Sequence, residues 1–222
     1  MEKAVVTFSG GLDSTTLLFW AAKNHDVSAI TFDYGSKHNG RERSAATRIA
    51  QRLGVSHTIV RLPFINDLFK SSLLKSGGEV PEGHYEDSSM RSTVVPFRNG
   101  IMLSIAIGYA ESIGAKCIYY AAHSGDHAIY PDCRPEFLNS MSKAGKKGTY
   151  LGVEVNDPFI DKPKKEIVIL GKELGVPFEL TYSCYKGGRL HCGKCGTCVE
   201  RKEAFQLAGI PDPTRYETTN GE

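Results

Sequence analysis

Residues 4–18, AVVTFSGGLDSTTLL, run as an apolar stretch into Ser-Gly-Gly and then restart with a different period. That junction constrains the fold more than any other feature of the chain. A short apolar run of this kind predicts a strand buried on both faces, and the residues after it predict a helix. Gly10 and Gly11 permit backbone angles or close approaches that a side chain would block. Ser14, Thr15 and Thr16 fall in the first helical turn, where backbone N–H groups lack intrahelical partners, so the helix start is a ready anion site. A helix cap with an incidental glycine turn would share several of these features. The complete hexapeptide, placed directly after the first strand, favours a phosphate.

The same alternation continues along the chain. Strands are predicted at 3–8, 29–34, 56–62, 116–122 and 153–159, and helices at 14–23, 39–53, 64–74, 97–113, 135–144, 164–174 and near 198–208. Residues 75–96 carry many turn formers and little periodicity, which predicts a long loop of the kind that often forms a lid or binding segment. Strands alternating with helices indicate βαβ units, hence an α/β fold with a parallel, Rossmann-like sheet. Ligands of such sheets bind beyond the carboxyl ends of the strands, where SGGLDS stands. The expected division is a main domain over 1–180 and a small C-terminal lobe over 181–222.

Net charge is +2, from 27 Lys and Arg against 25 Asp and Glu, so nothing favours coating a nucleic acid or an anionic membrane. No apolar stretch approaches a membrane span, and the start MEKAVV lacks signal-peptide organisation, so a cytoplasmic location is expected. Four of the six cysteines, Cys184, Cys192, Cys195 and Cys198, crowd into one short stretch. Four thiolates at this spacing suit a closed tetrahedral zinc site, one ion per chain, that would tie together a segment poor in apolar residues. An iron–sulfur cluster and a redox dithiol are the competing readings.

Ser-Gly-Gly-x-Asp-Ser after a first strand resembles the PP-loop of the N-type ATP pyrophosphatases. Taken in order with VPFRN (95–99), YPDCRPEF (130–137) and the terminal cysteines, the chain from Val5 to about Ala208 resembles the QueC family of 7-cyano-7-deazaguanine synthases. The resemblance implies an adenine nucleotide alpha hydrolase-like domain with a zinc-bound lobe, acting as a homodimer. It implies that ATP and Mg²⁺ are used to convert 7-carboxy-7-deazaguanine and ammonia to the nitrile, through an acyl-adenylate and an amide. Ser9–Ser14 would hold the β- and γ-phosphates, within a nucleotide-binding run of Phe8, Ser9, Gly10, Gly11, Leu12, Asp13, Ser14, Thr15, Thr16, Leu17 and Leu18. Asp13, beside phosphates, would share a Mg²⁺.

The catalytic candidates are Asp13, Arg98, His127, Asp132 and Arg134. Arg98 or Arg134 would pair with the substrate carboxylate or the α-phosphate, and Asp126 or Asp132 would accept from the guanine-like N–H edge. His123 and His127 are candidate bases toward ammonium. Asp33 and Tyr34, in TFDYGSKH, are placed for the adenine ring. The chain departs from common family forms at Leu12, at Phe97 and over AAHSGDHAI (121–129). Three other readings stay open, the first of them because of these departures. One is a relative joining the activated acid to another amine, for example on a protein. Another is a tRNA thiolase with an iron–sulfur cluster, and the third is a nucleotide sensor without chemistry.

Overall fold

Ala4, Val5 and Val6 are all fully buried in β1 (Lys3–Thr7), the middle strand of a sheet covered on both faces. The computed structural model describes residues 1–217; residues 218–222 of the expected C-terminal lobe lie outside them. Five parallel strands make the sheet, in the order β3 (Ser56–Arg61), β2 (Asp26–Asp33), β1, β4 (Cys117–Tyr119) and β5 (Glu154–Asn156). Val5 pairs with Ser28 on one side and with Ile118 on the other.

The period-2 alternation of β1 divides the core into two layers. Ala4 and Val6 pack with residues of α1 (Leu12–Ala22), α2 (Asn39–Leu53), α6 (Lys164–Glu173) and α7 (Gly196–Ala208). Val5 faces the other way, toward α4 (Arg98–Ser112) and α5 (Pro135–Gly148). The chain therefore leaves β1 toward one face and β4 toward the other. Their carboxyl ends frame the crevice in which ligands of open α/β sheets bind.

Three elements end well before the sequence predicts, one of them the strand expected over 153–159, which closes as β5 at Asn156. The helix expected over 64–74 stops as α3 (Pro63–Leu68). Beyond it the Ser72 N–H donates to the Ser92 carbonyl (2.8 Å) and the Ser71 hydroxyl to the Thr93 carbonyl (3.0 Å), bonds that replace a helical ladder. The strand expected over 116–122 shrinks to β4, because Ala122 donates its N–H to the Asp157 carboxylate (2.6 Å) instead of to a neighbouring strand. The 75–96 loop contains a short 3-10 helix, Ser88–Thr93, and packs inward through Tyr85 and Met90.

The C-terminal segment packs closely on the main body. The four cysteines belong to the same buried cluster as Val5 and Leu103, and Phe205 of α7 meets Phe178 edge-on at 5.0 Å. Arg201 is fully buried and fully partnered: its guanidinium donates to Asp212, to the Thr181 hydroxyl (2.8 Å), to the Ser183 hydroxyl (3.1 Å) and to the Phe178 carbonyl (3.3 Å).

Candidate active site

A cavity of about 220 Å³ opens where β1 and β4 end. Its floor is the SGGLDS turn. Gly10 takes φ +84°, and a Cβ there would lie 2.6 Å from the Ala46 nitrogen and 2.8 Å from the Glu42 carbonyl, so α2 presses directly on the turn. The Ser9 and Ser14 hydroxyls stand 3.0 Å apart, and the Gly11 N–H donates to Ser9 Oγ (3.1 Å). This cluster of small donors at the start of α1 has the chemistry to receive an anion.

The wider nucleotide run divides in two. Phe8, Ser9, Gly11, Leu12, Asp13 and Ser14 line the cavity. Thr15 and Thr16 do not: their hydroxyls donate back along the helix, to the Gly11 carbonyl (2.6 Å) and the Leu12 carbonyl (3.1 Å). Leu17 and Leu18 are fully buried in the core behind the loop.

Asp13 enters a chain of charges that the sequence reading missed. Its Oδ2 lies 3.1 Å from Lys164 Nζ, and Lys164 Nζ donates to Glu200 Oε2 at 2.6 Å. His123 Nδ1 accepts from the Gly125 N–H (3.1 Å), which leaves the proton on Nε2, 3.4 Å from Glu200 Oε1. Burial works to raise the Asp13 carboxyl, but the neighbouring positive charge, Lys164 foremost, outweighs it and holds the group below its usual range. Burial likewise opposes the Lys164 charge, yet Asp13 and Glu200 keep it a firm cation. Asp13 Oδ1 is buried and has no hydrogen-bond partner among the described residues. An ionised carboxylate with one open oxygen beside a phosphate loop suits a Mg²⁺ shared with a polyphosphate.

The opposite wall is aromatic. Tyr34, Tyr85, Tyr120, Tyr130 and Tyr185 line it, and burial pushes all five phenols up, so they remain neutral donors and flat stacking surfaces. Tyr85 brings the 75–96 loop into this wall and donates to Asp126 Oδ1 (2.7 Å). Arg98, half-buried at the start of α4, donates to the Tyr34 hydroxyl (3.1 Å) and lies 5.4 Å from the centre of that ring. No carboxylate among the described residues forms an ion pair with Arg98, so its cation is available to an anionic ligand.

Other expected residues stand behind this wall. Asp132 is buried, and its carboxylate accepts the Asn99 N–H (2.9 Å), fixing the first turn of α4. Arg134 donates to the His127 carbonyl (3.0 Å), and neither Arg134, His127 nor Asp132 lines the cavity. His127 Nε2 is buried without a partner. Asp33 is paired with Arg43 at 3.0 Å and also lies outside the cavity. Phe97 is 60% exposed in a left-handed conformation (φ 51°) and packs edge-on to Phe137, so its bulk does not fill the site.

The Sγ atoms of Cys184, Cys192, Cys195 and Cys198 all lie within 4.8 Å of one another, and all four residues are buried. Four thiolates around one ion stand roughly 3.8 Å apart at Zn–S bond lengths. Backbone N–H groups of Cys192 and Cys195 already point at Cys184 and Cys192 sulfurs (3.4 and 3.3 Å), the kind of support that orients metal ligands. This donor set fits a tetrahedral metal.

A family model described as "Queuosine biosynthesis protein QueC" matches residues 3–209. A 7-cyano-7-deazaguanine synthase of Porphyromonas gingivalis is 55% identical over 97% of this chain and 98% of its own. The chain belongs to the QueC family. A second QueC relative, a 7-cyano-7-deazaguanine synthase of Marinomonas, is 49% identical over 97% of this chain and 99% of its own. Among solved structures, an NMN synthetase from Francisella tularensis matches with a TM-score of 0.52 at 13% identity, over 99% of this chain and 90% of the other. That likeness extends the QueC fold to a distant protein. Lys164, which lines the cavity, and Glu200, which accepts its hydrogen bond, are residues that sequence reading passed over. The available signals were the position of Lys164 just past a predicted strand and of Glu200 two residues after Cys198.

Proposed function

We propose that this chain converts 7-carboxy-7-deazaguanine and ammonia to 7-cyano-7-deazaguanine at the expense of ATP. The observation that carries the reading is that the phosphate loop, the open oxygen of Asp13 and the unpaired cation of Arg98 face one cavity. The substrate carboxylate attacks the α-phosphorus and pyrophosphate leaves. Ammonia then attacks the acyl carbon and AMP leaves, giving the amide. A second ATP activates the amide oxygen in the same way, and loss of AMP and protons leaves the nitrile.

Each stage asks the protein to hold a departing pyrophosphate and to offset its charge, which the Ser9–Ser14 turn and Lys164 are placed to do. Mg²⁺, when bound at Asp13, would neutralise charge on the polyphosphate. Arg98 holds the substrate carboxylate, and Asp132 positions Arg98 through the start of α4. His127 and Arg134 serve by shaping the 127–134 turn. The cysteine site takes one zinc, and its four reduced thiols suit a reducing compartment such as the cytoplasm. Family resemblance adds a homodimer, which sedimentation would test.

The test is mass spectrometry of a reaction containing 7-carboxy-7-deazaguanine, ATP, Mg²⁺ and ammonium. Nitrile, AMP and pyrophosphate are expected, with two AMP per nitrile. AMP without amide or nitrile would overturn ammonia as the acceptor and point to another amine, such as one on a protein. No AMP would overturn the enzyme reading.

A further inference from the structure

We propose that Glu42 reads the pyrimidine edge of the substrate base, accepting hydrogen bonds from its ring N–H and its 2-amino group; the assignment rests on the synthase reading above. A guanine-like edge offers two adjacent N–H donors, and a carboxyl group with both oxygens free, drawn into its ionised form by those donors, is their complement. Three carboxylates line the cavity: Asp13, Glu42 and Asp126. Asp126 is already engaged, accepting from the Tyr85 hydroxyl (2.7 Å) and from the His123 N–H (3.0 Å). Asp13 is bound to Lys164 (3.1 Å) beside the phosphate turn. Glu42 is different, because among the described residues none donates a hydrogen bond to its carboxylate.

His38 Nε2 stands 3.6 Å from Glu42 Oε2. His38 Nδ1 faces the Tyr185 carbonyl (3.2 Å), so it carries the ring proton and donates it there. Nε2 is left as a lone pair, and burial lowers this imidazole to about 4, keeping it neutral. It turns that lone pair toward the Tyr34 hydroxyl (3.4 Å), itself held by Arg98 (3.1 Å). The relay from Arg98 through Tyr34 and His38 to Tyr185 is complete without Glu42. Burial raises the Glu42 carboxyl to about 8 although Arg98 pulls the other way, which is the behaviour of a carboxylate short of donors. A half-buried acid kept in this state beside flat aromatic rings is matched to a planar ligand that brings its own N–H groups.

The experiment compares 7-carboxy-7-deazaguanine with its analogue lacking the 2-amino group, in the wild type, Glu42→Gln and Glu42→Asp. In the wild type, removing the amino group should raise KM roughly 10- to 100-fold, as for loss of one partner of a buried charge-assisted hydrogen bond. In Glu42→Gln the KM for the natural base should rise by a similar factor, and the amino group should then matter less than about threefold. Glu42→Asp should keep a clear amino-group preference. The KM for ATP should stay within about twofold throughout. An equal amino-group penalty in wild type and Glu42→Gln would overturn the assignment, as would a raised ATP KM with an unmoved base KM. Wild-type turnover of the natural base separates the two levels. If it is absent, the synthase reading fails and takes the assignment with it; if it is present with equal penalties, the assignment fails alone.

Discussion

Glu42 carries a cost that stability measurements can read without any substrate. Its carboxyl rises from an ordinary 4.5 to about 8 in the folded protein, chiefly through burial. A raised folded-state value means the folded protein holds this proton more tightly than the unfolded chain does. The contribution is fully present below about pH 4.5 and is lost as pH climbs toward 8. Glu42→Gln removes the titration while keeping the shape. The variant should therefore match the wild type in urea unfolding at pH 4.5 and exceed it at pH 8.5, by a margin on the order of 3 kcal/mol. A pH-independent difference would sink this account. Arg98→Lys tests the same wall from the other side. Losing the planar fork should raise the KM for the base about 10- to 100-fold and leave the fold intact by circular dichroism. At this scale the sequence was legible only where residue type and position coincide. Asp13 stands inside a short motif at a predicted strand end and Arg98 inside one at a predicted helix start, and both reach the cavity. Thr15 and Thr16 follow Ser14 in a helix, and each step of about 100° turns the next hydroxyl away from the loop. Glu42 and Lys164 come from separate helices and share only the cavity, while Lys164 meets Glu200 because the fold packs α6 against α7.

Elements were read best where their ends carry their own signal. α2 spans the predicted 39–53, bounded by the polar turn before Asn39 and by Gly54 at φ +72°. α3 stops early because two serines find partners 20 or more residues away, a competition that no local pattern displays. One close contact between elements is the seat of α2 against the phosphate turn at Gly10, and a pair of alanine substitutions measures it. Gly54→Ala meets no atom within 4 Å, so it should cost only the left-handed backbone, about 1 kcal/mol. Gly10→Ala adds a Cβ 2.6 Å from a backbone nitrogen and 2.8 Å from a backbone oxygen of α2, neither able to swing aside. It should cost more than about 3 kcal/mol in denaturant unfolding and should weaken ATP binding at least tenfold. Equal costs at the two glycines would show that α2 yields to the turn.

The whole molecule joins its cysteine cluster to its phosphate turn through one helix. Cys195 caps α7 and Cys198 lies in its first turn, while Glu200, in the next, holds Lys164, which holds Asp13. Arg201 follows and anchors α7 to residues 178–183 and to Asp212. The sequence announced the cysteines by their spacing, and the parallel sheet by its alternation. It could not announce that the helix after the cysteines lies against α6, because that contact is set by the return of the chain across the sheet after β5. Stripping the metal should therefore act at two places. Four uncompensated thiols in a buried cluster lose their common ligand, which should lower the melting temperature by 10 °C or more, given the several kcal/mol that structural zinc contributes. The start of α7 then loosens, Glu200 no longer fixes Lys164, and affinity for a non-hydrolysable Mg²⁺–ATP analogue should fall by roughly tenfold or more. Calorimetric titration before and after chelation, with zinc counted by mass spectrometry, measures both. Glu200→Gln with full metal content should reproduce the loss of nucleotide affinity with little change in melting temperature. If that variant binds nucleotide normally, the cysteine lobe stabilises the fold and does no more, and the link from Glu200 through Lys164 to Asp13 transmits nothing.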